Sequence, residues 1–390
     1  MDSPLLPARS LVAQGGEHLP HHITILAALV VALGVAWLQP ALATEPETGT
    51  PIQQTRYSHY PFGTDESVID FGTQPLWLPA GLITEVMRRD GILRETLHQQ
   101  GKTIRFHPFM KGADVNRYIH DGVLEGGVGG DMPAITACAT DQVRVVSLMD
   151  RYFTAVVAPT PLLLSDLRGR RIAYAPGSNA HYGLLSALTM ANLTPSDVTL
   201  VPMEVDIMPI ALQQGYIDAF SAWEPTPGLA VDRYGHKIVH RFLSAGYLYF
   251  SQAFATQQSA SVTAVVAAEI RALRWLAESD DHIIQAIGWT AETIQELIGR
   301  RLELSQAEML RLIRRSLRIL WDAPLIPKEI FSATGSIGLA TQFLAHTGAI
   351  PATLSWAQMI GCFDRTVGEE VLGRPLPHRL NTFTYGGKPQ

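Results

Sequence analysis

Between Val68 and Trp223 short apolar runs alternate with longer amphipathic ones, and no other feature constrains the fold so tightly. An apolar run bounded by turn residues reads as a strand, and an amphipathic run with apolar spacings of three and four reads as a helix. Regular alternation of the two builds βαβ units around a mostly parallel sheet. The first series reads as strand 68–72, helix 76–89 stopped by Gly91, strand 103–109, helix 113–120, a glycine-rich strand end at Gly126–Gly130, helix 133–140 with Pro133 in its first turn, and strand 143–149. A second series follows Pro159 and Pro161: strand 171–175, helix 179–191, strand 198–201, helix 208–214 ended by Gly215, and strand 217–223. Crossings near 152–159 and 247–255 would join the two series as a hinge. From Val262 onward the apolar residues fall at helical spacings only, as in Ile270, Leu273, Trp275 and Leu276, or Met309, Leu312, Ile313, Leu317 and Leu320.

At 390 residues the chain has room for two lobes, and its 47% hydrophobic and 17% charged composition is globular. The formal net charge of -6 gives no basic footprint for nucleic acid, whose phosphates demand clustered Lys and Arg. The pairs Arg88-Arg89 and Arg314-Arg315 read as solvated helix faces. Cys138 and Cys362 have neither zinc nor redox spacing; two unpaired core thiols are expected, with a single disulfide as the alternative.

The N-terminal segment differs from the rest. Residues 23–38 are almost purely apolar and uncharged, and Pro40 with Ala41-Leu42-Ala43 follows as a cleavage-site pattern. Residues 1–43 therefore read as a signal peptide or an uncleaved anchor, since 23–43 is just long enough to cross a bilayer. Both place the remainder outside the cytoplasm, in the periplasm. The expected division is a flexible tail at 44–65, lobe 1 from 66–155 and 250–365, lobe 2 from 156–249, and a C-terminal tail at 366–390.

The most informative chemistry lies at Gly177-Ser178-Asn179-Ala180-His181-Tyr182, directly after a strand. A strand, a Gly-Ser turn and an immediate helix put Ser178 at the N-cap, with free backbone amides and the positive end of the helix dipole above the sheet edge. Such a position favours an anion; the alternative is that Ser178 only caps its own helix.

Three separated blocks set this segment in context: Gly177 to Tyr182, then Ala191-Asn192-Leu193-Thr194-Pro195-Ser196-Asp197-Val198, then Gly215-Tyr216-Ile217-Asp218-Ala219 with Trp223-Glu224-Pro225. In order and spacing they resemble the solute-binding proteins of the aliphatic sulfonate, nitrate and taurine family. Asp70-Phe71-Gly72-Thr73-Gln74 and Gly129-Gly130-Asp131-Met132-Pro133 resemble that family's first-lobe blocks. The resemblance spans about 68–361 and implies an α/β, two-lobed periplasmic-binding-protein-like fold of type II, with two crossover segments and a helical C-terminal part. It implies a ligand site with Gln74 and Trp77 on the first-lobe wall, Gly130, Asp131 and Met132 in the loop beside them, Ser178, Asn179, Ala180 and His181 at the second-lobe helix start, and Trp223 and Glu224 on the far side.

Each residue also has a plainer role. Gln74 ends a strand, Trp77 packs in a helix first turn, Asp131 caps the helix beginning at Pro133, and His181 lies on a helix surface. Glu224 discriminates among ligands: a carboxylate facing the site repels a simple anion and suits a zwitterion, whereas at the hinge it bonds backbone or a basic residue. Two departures from the family pattern stand out, Asn179 in place of a second serine and Thr73 in place of an aromatic residue.

No GxSxG, HExxH, Walker-type or GxGxxG helix-opening motif occurs. His236 and His240 have i, i+4 spacing without the carboxylate a metalloprotease needs between them. The expectation is a binding protein, not an enzyme, with no cofactor or metal: an exported monomer that hands a small anionic or zwitterionic ligand to an ABC permease and ATPase. An enzyme of the same fold, like the pyrimidine-synthesis relatives, and a ligand-binding sensory domain are the alternatives.

Overall fold

The apolar runs form one eight-stranded sheet in the order β2-β1-β3-β8-β4-β7-β5-β6. It is seen in a computed structural model that describes residues 56–386 apart from 64, 141, 142 and 318–323. The apolar N-terminal run, the expected 1–43 segment, most of the 44–65 tail and Leu320 lie outside the described residues. On one flank β1 (Val68–Thr73) pairs in parallel with β2 (Thr103–Pro108) and β3 (Gly126–Gly130). On the other, β5 (Arg171–Tyr174) pairs in parallel with β6 (Thr199–Pro202) and β7 (Ala219–Trp223). Between them run two long antiparallel strands, β4 (Val143–Ala158) and β8 (Lys237–Ser251).

These two strands are the crossovers. β8 lies against β3 through residues 246–250, and β4 lies against β7 through residues 154–157. Each therefore belongs to one flank at one end and to the other flank at its opposite end. The sequence expectation ended the first of them at Met149, because Asp150 and Arg151 break the apolar run. In the fold Asp150 stays fully buried and the strand continues. Register shifts between Val145 and Ser147 and between Leu148 and Asp150 bend the ladder there without ending it.

Helices α1 (Ala80–Arg88), α2 (Gly91–Gln99), α3 (Gly112–His120), α4 (Asp131–Thr140), α5 (Asn179–Met190), α6 (Met208–Gln213) and α7 (Thr226–Tyr234) connect the strands. After β8 come α8 (Gln252–Gln257), α9 (Ser259–Glu278), α10 (Asp280–Ile298), α11 (Gln306–Leu317), α12 (Ser336–His346), α13 (Trp356–Gly361) and α14 (Thr366–Gly373). Ile69, Phe71, Ile83, Val265 and Phe250 pack where α1 and α9 cover the first flank. Val156, Ile172, Leu184, Leu188 and Ala219 form a separate core in the second. Each Val, Ile, Leu or Phe among them contributes roughly 1.5–3 kcal/mol by leaving water.

Five expectations are corrected. Gly91 begins α2 instead of ending a helix, because the Asp90 carboxylate accepts the amides of Ile92 and Leu93 at 2.8 and 3.1 Å. That carboxylate is also paired in the interior with Arg271 at 2.7 Å. Trp77 precedes α1 in a turn rather than lying in a helix first turn. Arg89 is not solvated: it is buried, ion-paired with Glu85 and stacked 4.6 Å above the Trp289 ring. Cys138 and Cys362 are not free thiols but a disulfide with Cα atoms 5.8 Å apart, tying the last turn of α4 to the residue after α13. Within 366–390, expected as a tail, α14 forms and Leu380 and Tyr385 are buried, the latter 4.9 Å from the Trp275 ring.

Candidate anion-binding site

The turn into α5 is built locally. Gly177 takes a positive φ of 71°, a conformation that disfavours other residues, and reverses the chain between β5 and the helix. Ser178 Oγ donates to the Ala175 carbonyl at 2.6 Å and accepts the His181 amide at 3.3 Å, so it caps its own helix. His181 does not offer a cation. Its Nδ1 accepts the Gly177 amide at 3.4 Å, its ring lies 4.6 Å from that of Tyr174, and burial pushes its pKa down to about 4. Neutral at pH 7, it holds the turn.

The start of α4 is built from a distance. β3 runs directly into the helix at Asp131, and Pro133 has no amide hydrogen to give. The Met132 amide donates to Asn179 Oδ1 at 2.8 Å, across from the other flank of the sheet. Asn179 Nδ2 in turn donates to the Tyr152 hydroxyl at 2.8 Å, to Asp131 Oδ2 at 3.2 Å and more weakly to the Ala245 carbonyl at 3.4 Å. Asp131 does not cap α4: its carboxylate accepts the Ala245 amide at 2.7 Å and the Tyr247 hydroxyl at 3.3 Å. Burial pushes its pKa up to about 6, against the lowering effect of these donors.

Beside these two helix starts lies a narrow cavity lined by Gln74, Trp77, Gly112, Gly130, Pro133, Tyr152, Ser178, Asn179 and Trp223. Gly112 is the first residue of α3, so the N-termini of α3, α4 and α5 converge on this space. First-turn amides have no intrahelical acceptor, and three positive dipole ends together favour negative charge. No side chain in the wall is cationic. Gln74 Nε2 donates to the Val128 carbonyl at 2.6 Å, and Trp223 Nε1 donates to the Leu76 carbonyl at 3.1 Å. Trp77, tilted against Tyr152 with ring centroids 5.1 Å apart, has a buried indole N–H with no hydrogen-bond partner. A buried donor left unpaired costs about 1–3 kcal/mol, which a ligand acceptor would recover.

Six of the expected site residues, Gln74, Trp77, Gly130, Ser178, Asn179 and Trp223, are in this wall. Asp131, Met132, Ala180 and His181 stand behind it, and Ala180 is used through its carbonyl, which accepts the Ser221 hydroxyl at 2.8 Å. Glu224 lies outside the wall: its Oε2 accepts the Gly228 amide at 2.9 Å within the start of α7, and burial raises its pKa. Sequence reasoning missed Gly112, Pro133 and Tyr152. Tyr152 sits in the stretch read only as a crossing, and no local motif marks it. Asp150 was missed too; it lies behind Trp77 with both carboxylate oxygens buried and unpartnered. Burial, with Asp131 and Glu269 nearby, raises its pKa well above the ordinary carboxylate value. A wider surface hollow near Thr160 and Arg170 includes Asp218, already paired with Arg171 at 2.9 Å, and Arg168, paired with Asp197. Such solvated, mutually satisfied charges make a weaker binding site than the buried helix starts.

Two α/β flanks joined by two long crossover strands, with helices added at the C-terminus, define the two-lobed type II periplasmic-binding-protein fold. Residues 136–283 match the family described as NMT1/THI5 like, and the resemblance drawn from the three motif blocks is borne out. The chain is 23% identical over 275 residues to a putative aliphatic sulfonates-binding protein of Escherichia coli, covering 64% of this chain and 84% of that protein. It is 31% identical over 132 residues to the taurine-binding periplasmic protein of the same organism, covering 33% of this chain and 41% of that one. The alkanesulfonate-binding protein SsuA of Xanthomonas axonopodis pv. citri, solved bound to MOPS, superposes with a TM-score of 0.58 at 17% identity, covering 78% of this chain and all of that one. The fold also occurs in an enzyme, DszB, solved as a mutant in complex with biphenyl-2-sulfinic acid, with a TM-score of 0.52 at 16% identity over 79% of this chain and 99% of that one.

Proposed function

We propose that this chain is the extracytoplasmic solute-binding component of an ABC import system and takes a small solute with an anionic end, a sulfonate, taurine, nitrate or a similar group. The observation that supports this most is the convergence of three helix N-termini on a cavity lined in part by Trp77, whose buried indole N–H has no partner. The anionic group would sit among these amides, with Gln74, Tyr152 and Trp223 enclosing the remainder. Lobe 1 (66–155 and 250–365) and lobe 2 (156–249) would close over it by bending β4 and β8, and the closed form would be recognised by a membrane permease with its ATPase. A periplasmic location agrees with the relatives' names and with a disulfide, which persists in oxidising compartments. No helix among the described residues is long and apolar enough to cross a membrane.

Binding rather than catalysis is favoured by what the wall contains. Both cysteines are spent in the disulfide, Ser178 Oγ is engaged at both its donor and an acceptor position, and no histidine among the described residues lines the cavity. With Glu224 outside the wall, a cationic end on the ligand no longer has that partner. Thermal shifts against taurine, alkanesulfonates, nitrate, bicarbonate and pyrimidine precursors test the assignment. Stabilisation by at least one anion is expected; a flat response to all of them overturns it. Trp77→Phe keeps the ring and removes the donor, so affinity for the stabilising anion should fall about tenfold with little change in the unliganded melting temperature.

A further inference from the structure

The carboxamide of Asn179 is placed as a ligand's head group would be. Its Oδ1 takes the Met132 amide at 2.8 Å, the donor that α4 offers at its start, where Pro133 offers none. Its Nδ2 is spent on the Tyr152 hydroxyl and on Asp131. The backbone closes tightly around it: a Cβ on Gly130 would stand 2.6 Å from Asn179 Cγ, Oδ1 and Nδ2 alike. The residue is 2% exposed and also lines the cavity. We infer that Asn179 is a built-in occupant of an anion subsite at the α4 N-terminus, a specificity-determining residue with which an oxyanion must compete for the Met132 amide. This rests on the binding function proposed above.

The competition has a definite chemistry. A carboxamide oxygen is a neutral acceptor, and an oxyanion makes the stronger, charge-assisted bond to the same amide. Displacing Asn179, however, takes a donor from the Asp131 carboxylate and leaves that carboxylate facing the incoming charge. The ligand class that gains most is one whose head group has a single, spread negative charge, such as a sulfonate, rather than a dianion such as hydrogen phosphate. A shorter side chain at 179 removes the competitor.

The test compares the unaltered protein with Asn179→Ser, by calorimetric titration with taurine and ethanesulfonate. The variant should bind about tenfold more tightly, the order expected from removing a competing hydrogen bond, and its unliganded form should melt at a lower temperature. Equal or weaker binding by the variant, with the unaltered protein binding normally, overturns the inference and leaves the binding function intact. If neither protein binds either sulfonate, the binding function fails for this ligand class and the inference with it. Should the variant not fold, the unaltered protein decides: the Asn179 side-chain amide resonances must shift toward free-amide values on saturation with ethanesulfonate. Unmoved resonances in a saturated protein overturn the inference.

Discussion

Helices α4 and α5 both begin at a strand end, and both point their first turn at the same cavity, yet their ends are satisfied in opposite ways. α5 is self-contained, capped by Ser178 three residues before the amide it accepts. α4 depends on distant chain at both ends: its first turn is bonded by Asn179, 47 residues away, and its last turn is joined to Cys362, 224 residues away. A local cap exists in any conformation in which the helix forms. A distant cap exists only while the two flanks of the sheet are together. The amide that would change partner on binding therefore belongs to α4, and α5 supplies the fixed edge against which it does so.

The largest expected effect breaks the distant anchoring of α4 covalently. Replacing Cys138 and Cys362 together by alanine removes a cross-link over 224 residues, and long loops place the loss at about 4 kcal/mol in denaturant unfolding. A loss below about 1 kcal/mol would mean that packing alone holds α4 to α13 and would weaken the contrast with α5.

The next effect is electrostatic and concerns Asp131. Its pKa rises from the ordinary 3.8 to about 6 on folding, so the folded state binds the proton more tightly. The group's contribution is fully present below about pH 4 and is lost as pH rises through about 6, a difference of about 3 kcal/mol. Between pH 4 and 6 the unaltered protein should lose stability relative to Asp131→Asn, which has no such titration. Parallel stability curves for the two proteins would show that the carboxylate titrates normally.

The smallest effect concerns the local cap. Ser178→Ala should cost about 1 kcal/mol of unfolding free energy, leaving α5 in place, with only a slight change in anion affinity because Ser178 is occupied by Ala175 and His181. A tenfold loss of affinity would instead mean that the hydroxyl turns to the ligand, and the two helix starts would be more alike than they look.

Much of the fold was legible. β1, β3, β5, α3 and α5 fall within a residue or two of their expected bounds, since apolar period, Gly turns and caps are short-range signals. β4 was cut short because a buried aspartate in mid-strand looks like a strand end when its surroundings are unknown. α2 was missed because Gly91 after Arg88-Arg89-Asp90 reads as a stop, while Asp90 is in fact a cap held in place by Arg271. In the site, Ser178 and Asn179 could be named from one motif. The partner of Asn179, the presence of Tyr152 and the withdrawal of Glu224 could not.

The sequence by itself determined the strands, the turn at Gly177, the local cap at Ser178 and the order of the motif blocks, because each depends on residues within one turn of each other. Only the tertiary structure decided which amide Asn179 accepts, that Cys138 meets Cys362, and which side chains share the cavity with Trp77. Those pairings join residues dozens to hundreds of positions apart. Their energies appear only after burial of the two cores has paid the entropy of bringing the chain segments together.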